Sequence, residues 1–201
     1  MSEEDLSLVV PRWVWPLVVL ALVLTAWAAL FICFGAIVTA PVVLAAATAF
    51  GLWMTSTYRQ PRFRRILPHY ITLVIVLMLQ GLEQWALGYS EILAAMFPAN
   101  FAAPVLWSPL LHLGVFTLGF TTVFLFAGVG IFFHHPLGNY AAWLLMMTAV
   151  IGGLWLFLAP LAAGRIAYLP GMGMAAVAMV LGVVGALRLL RARGLNHEVL
   201  Q

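Results

Sequence analysis

Apolar residues along this chain come in long unbroken runs rather than in the one-sided stripe of an amphipathic helix in water. A bilayer core is crossed by about 20 consecutive apolar residues in a helix, so runs of that length bounded by charge, proline or aromatic residues mark candidate spans. Six are predicted, the first at 13–34, entered through Pro11 and Pro16 and belted by Trp13 and Trp15. The second, 41–58, follows a tight turn near Gly35, and the third, 68–87, opens on Pro68 and ends before Gly88. The others fall at 107–133, 140–163 and 168–190. Between the third and fourth, 89–106 carries Pro98, Pro104 and scattered aromatics and reads as an interfacial or re-entrant segment. The expected fold is all-α: a polytopic membrane helix bundle forming a single transmembrane domain over 1–201.

Composition sharpens this picture. Of 201 residues, 65% are hydrophobic and 7% charged, against about 25% charged in a water-soluble domain. All nine basic residues are arginines, and most flank apolar runs. Arg59, Arg62, Arg64 and Arg65 follow the second span and Arg188, Arg191 and Arg193 follow the sixth, while the opposite loops hold only Arg165. By the positive-inside rule this places both termini in the cytoplasm and the chain in the inner membrane, and an even number of spans satisfies it. The same distribution argues against a nucleic-acid partner. The acidic start, Met1 to Asp5, lacks the basic region of a secretory signal, so the first apolar run is expected to stay as a span. Cys33 is the single cysteine and reads as an apolar filler.

Ionisable groups are costly in lipid, so each one inside a span is a candidate for function. Glu83 lies about five residues inside the outer end of the third span, with Gln80 and Gln84 on the same helix face. His112 lies about five residues inside the outer end of the fourth, so both sit roughly 7 Å below the interface. A Glu83–His112 pair at that depth suits metal binding, proton relay or acid–base work on a buried substrate; the competing reading is an interhelical hydrogen bond. Arg165 and Tyr168 reach the same layer, where Arg165 would neutralise Glu83 or Glu91. A second polar group, His69, His134, His135 and Asn139, lies toward the cytoplasmic side, where it would bind a metal or anionic headgroup or stay solvated. His69 and Glu83 are roughly 21 Å apart along one helix, so the two groups cannot share ligands.

Other sites are excluded. The absence of lysine removes a retinal Schiff base and a phosphate-binding P-loop. One carboxylate within the spans is too few for a di-iron bundle, and His112 has no second histidine at its level for a b-type haem. Met172 and Met174 read as packing residues rather than copper ligands, because Met146 and Met147 lie nearer the other face. The residues therefore assign no cofactor and leave metal binding open.

The stretch Gln80-Gly81-Leu82-Glu83-Gln84 resembles the His-x-x-Glu-Glu signature of the HXXEE-domain membrane proteins, and Tyr168-Leu169-Pro170-Gly171 resembles the aromatic-x-Pro-Gly element near the end of that family. The resemblance covers His69 to about Gly185 and leaves the first hairpin as an addition. Gln80 stands where the family histidine belongs and Gln84 replaces the second glutamate, so the resemblance implies a non-catalytic relative of a family without a settled biochemical function.

Three function classes remain. The first is a binding, scaffold or accessory subunit whose partners are the bilayer and other membrane subunits, with self-association through small-residue faces such as Ala178, Gly182 and Ala186. The second is an enzyme acting on a lipid-phase substrate, with Glu83 and His112 as acid–base pair and Gln80 and Gln84 orienting the substrate. The third is a small proton-coupled transporter, for which no internal repeat is found.

Overall fold

A computed structural model describes residues 13–57, 66–98, 112–133 and 135–191. These form α1 (Val14–Leu52), α2 (Leu67–Ala86), α3 (Tyr89–Met96), α4 (Phe120–Phe132), α5 (Pro136–Met147), α6 (Gly153–Ala162) and α7 (Met172–Arg191). Three π-helical stretches, π1 (Trp53–Thr57), π2 (His112–Gly119) and π3 (Thr148–Gly152), extend α1, lead into α4 and join α5 to α6. No strand occurs among the described residues, as the unbroken apolar runs predicted.

Three helices are long and apolar enough to cross a membrane: Thr39–Ser56, Pro136–Ala162 and Met172–Arg191. A fourth is obtained if α2 and α3 count as one span, although they meet at 70°. That bend is made at Gly88, whose φ of 68° lies in the left-handed region that only glycine enters cheaply. Val14–Ala28 and Thr117–Phe132 are shorter apolar helices.

The first hairpin differs from the sequence expectation in an instructive way. No non-helical turn interrupts the chain near Gly35; α1 stays helical from Val14 to Leu52. Straight, it would hold Trp15 and Trp53 about 57 Å apart. Yet the Trp15 ring meets His135 edge-on at 4.7 Å, and the Trp53 ring meets Tyr140 at 5.6 Å. Five residues of backbone span at most about 18 Å, so even with side-chain reach added the two ends of α1 lie well within 57 Å. The helix therefore doubles back, and Gly35 and Pro41 are the residues within it that kink helices. Both arms bury side chains in the main core: Val19 from the first, Ala45, Ala49 and Trp53 from the second.

Close approaches fix the remaining directions. A Cβ on Gly81 would fall 2.7 Å from the Thr117 hydroxyl, and one on Gly128 would touch the Tyr70 ring, so α4 runs antiparallel to α2. The Tyr70 hydroxyl donates to the Phe124 carbonyl at 2.8 Å and ties the same pair. Gly171 packs on Gln84 while His69 meets Leu181 of α7, which makes α7 antiparallel to α2 as well. Gly153 lies against Met179, and Gly182 against Met146, Ala149 and Val150. The small residues Ala178 and Gly182 are buried, so this stripe is used inside the chain.

Two ends result. A basal end gathers Trp15, Trp53, His69, His135 and the close of α7 with Arg188 and Arg191. An apical end gathers the close of α2, α3, the start of π2 and the 163–171 loop. Outward faces are apolar: Val123, Phe126 and Val129 of α4 and Val177, Val180, Val183 and Leu187 of α7 are exposed. In water such a surface would drive aggregation; in lipid it is solvated.

Candidate functional site

The apical polar group is built on the last turn and a half of α2. Gln80, Glu83 and Gln84 share a face there, and that face meets the loop entering α7. The loop is shaped by two glycines. Gly164, at φ 67°, closes α6 with the paired bonds of a Schellman motif, Gly164 N–H to the Leu161 carbonyl at 3.0 Å and Arg165 N–H to the Pro160 carbonyl at 2.9 Å. Gly171, at φ 89°, is buried and turns the chain into α7. A Cβ on Gly171 would lie 2.8 Å from Cγ of Gln84 and 3.2 Å from Cγ of Gln80. The two glutamine stems therefore rest directly on glycine backbone, an approach no larger residue permits.

This packing brings Tyr168 across to Glu83. Its hydroxyl donates to Glu83 Oε1 at 2.9 Å, joining residues far apart in sequence at a solvent-accessible rim. Gln80, by contrast, is nine-tenths buried, and its Oε1 has no hydrogen-bond partner among the described residues. The Thr117 and Thr121 hydroxyls, one helical turn apart on the buried face of π2 and α4, are likewise buried and unpartnered. A buried acceptor or hydroxyl without a partner carries a desolvation cost of about 1–3 kcal/mol, so Gln80 against Gly171 and the two threonines each hold hydrogen-bonding capacity to spare. The sequence expectation did not include Thr117 and Thr121; their signal was two hydroxyls four apart, with Thr122 beside the second, in a run apolar apart from these.

The structure thus brings Gln80, Glu83, Gln84 and Tyr168 together. Arg165 and Glu91 are exposed in the same apical region, and the partner given to Glu83 is the Tyr168 phenol. The His112 backbone opens π2; its side chain, and with it the Glu83–His112 pairing, lies outside what is described. Because Thr117 faces Gly81, the start of π2 stands beside the final turn of α2. Among the described residues no three of His, Cys, Asp and Glu converge on a metal-binding arrangement.

At the basal end the described residues of the second polar group each make their own contacts. His69 points between α2 and α7, with Nε2 2.8 Å from the Leu181 carbonyl, and since a carbonyl only accepts, Nε2 carries the proton. His135 caps α5: its Nδ1 accepts from Leu137 N–H at 3.3 Å while its ring meets Trp15. Asn139 and Tyr140 are buried near the start of α5, their Oδ1 and hydroxyl without a hydrogen-bond partner among the described residues. That start is fixed by the crossing of Gly138 over Gly130, where a Cβ on Gly138 would fall 2.3 Å from the Gly130 carbonyl carbon. His134 lies outside the described residues.

Compared with known proteins, the chain matches no family model and shows no significant similarity to a curated protein or a solved structure.

Proposed function

We propose that this chain is a six-pass inner-membrane protein, both termini on the arginine-rich side, and that it serves as a binding or accessory subunit within the bilayer. Six helical stretches running between two ends support the six crossings: the two arms of α1, α2, π2 with α4, α5 through α6, and α7. Arg188 and Arg191 lie at the basal end and Arg165 at the apical end, the asymmetry that orients membrane proteins.

The observation that carries the binding role is the Tyr168–Glu83 hydrogen bond set among Gln80 and Gln84. Carboxamides and a phenol recognise by hydrogen bonding; neither exchanges protons readily near neutral pH. In this reading Glu83 holds the α7 entry loop to α2 and presents a polar surface at the apical interface. The test is Glu83→Gln and Tyr168→Phe in the purified full chain. The expected outcome is a shift in thermal stability or assembly state, with a loss on the order of 1 kcal/mol for a single interhelical hydrogen bond in a membrane protein. A lipid-phase substrate turned over by the wild type and not by Glu83→Gln would overturn it.

That outcome defines the second reading, an enzyme with Glu83 and His112 as acid–base pair. It is supported by Thr117 facing Gly81, which sets the start of π2 beside the last turn of α2.

A further inference from the structure

We infer that the apical cluster is a receptor for a primary ammonium group, an inference that deepens the binding role proposed above and rests on it. Tyr168 has spent its only proton on Glu83 Oε1, so its oxygen retains lone pairs and no donor. Glu83 keeps its second carboxylate oxygen, and carboxylates only accept. Gln80 Oε1 is unpartnered although the residue is nine-tenths buried. Three oxygens with acceptor capacity, one of them the carboxylate's, thus belong to Tyr168 and to one face of α2, the complement of a group bearing three N–H donors and a positive charge.

Position selects the same chemistry. Glu83 lies about 4.5 Å from the close of α2, near the depth at which the headgroups of a bilayer would meet its hydrocarbon in the six-pass reading. Glu83 and Tyr168 form the accessible mouth, with Gln80 behind them against Gly171. Because Gln80 Oε1 makes no hydrogen bond, rotating it toward the mouth forfeits none. The carbonyls that close α2 add negative partial charge on the same side, which also favours a cation. A quaternary ammonium has no N–H to give these oxygens, and an anionic headgroup would be repelled by Glu83. The ammonium comes from an ethanolamine lipid headgroup or from a free primary amine.

The test uses the full chain in nanodiscs of equal parts ethanolamine, choline and glycerol phospholipids, with retained lipid identified by native mass spectrometry. The expected result is enrichment of the ethanolamine lipid over the choline lipid by about tenfold, one well-placed charge-assisted contact's worth. Gln80→Leu and Glu83→Gln should return the ratio to that of the bulk, and Tyr168→Phe, at an exposed position, should reduce it severalfold. Glu91→Gln, outside the cluster, should leave it unchanged. Displacement by millimolar free ethanolamine would support a soluble amine as the ligand; resistance to it would support the lipid. Equal retention of choline lipid, or enrichment that survives both Gln80→Leu and Tyr168→Phe, overturns the ammonium site. If Glu83→Gln still shifts stability or assembly in that case, the binding-subunit reading stands without it; if Glu83→Gln instead abolishes a turnover, that reading falls first.

Discussion

Gly171 shows how much one residue decides at the apical end. Its φ of 89° is a conformation that costs an L-residue about 1–2 kcal/mol, and its missing Cβ is the space in which Gln84 and Gln80 lie. Gly171→Ala therefore combines backbone strain with overpacking, which adds about 1–3 kcal/mol where neighbours cannot yield. The Gln84 Cγ at 2.8 Å belongs to a stem pinned on α2, so little relief is available. The expected outcome is a loss of about 2–5 kcal/mol, measured as a lowered unfolding midpoint in detergent. Gly164→Ala, with the same sign of φ and open space around it, should cost only the strain. Equal losses at the two sites would show that the glutamine contact contributes nothing. The sequence made Gln80, Glu83, Gln84 and Tyr168 legible because polar residues stand out in apolar runs. The glycine that joins them was visible only as part of a four-residue resemblance, since left-handed geometry leaves no mark on hydropathy.

At the scale of elements, apolar run length predicted where helices lie far better than where they bend. The third span was expected at 68–87 and α2 is Leu67–Ala86, because Pro68 and Gly88 punctuate it. The fifth begins at Pro136 instead of residue 140, since His135 supplies a side-chain cap and proline suits a first helical turn. The sixth begins at Met172, because the loop to Gly171 is extended. None of the three π-helical stretches was foreseen; a shift from four- to five-residue hydrogen bonding leaves an apolar run apolar. The doubling back of α1 gives a direct measurement. With Cys33 replaced by serine, spin labels at the exposed positions Leu17 and Met54 should lie within about 30 Å, against about 55 Å for a straight rod. Pulsed dipolar spectroscopy separates these values easily. A distribution centred near the longer distance would remove the two-armed first helix and leave it at most one crossing in place of two.

At the scale of the whole molecule, the contacts and the charges meet in one claim about orientation. The doubled α1 brings Trp15 and Trp53 to His135 and Tyr140, at the end where α7 closes with Arg188 and Arg191. An arginine crosses the bilayer reluctantly, so in the orientation proposed above the end with Arg188 and Arg191 stays on the side of synthesis. The opposite end presents Ile166, 99% exposed, beside Arg165 in the loop between α6 and α7. In a Cys33→Ser background, Ile166→Cys should therefore react with a membrane-impermeant maleimide in spheroplasts, whereas Arg62→Cys and Asn196→Cys should react only after lysis. Loss of one crossing after Arg62 would split Arg62 from Asn196, and an inverted bundle would exchange both with Ile166. The apical receptor depends on this outcome in a specific sense: with Ile166 outside, Glu83 meets the outer leaflet, and the ammonium it selects must come from there.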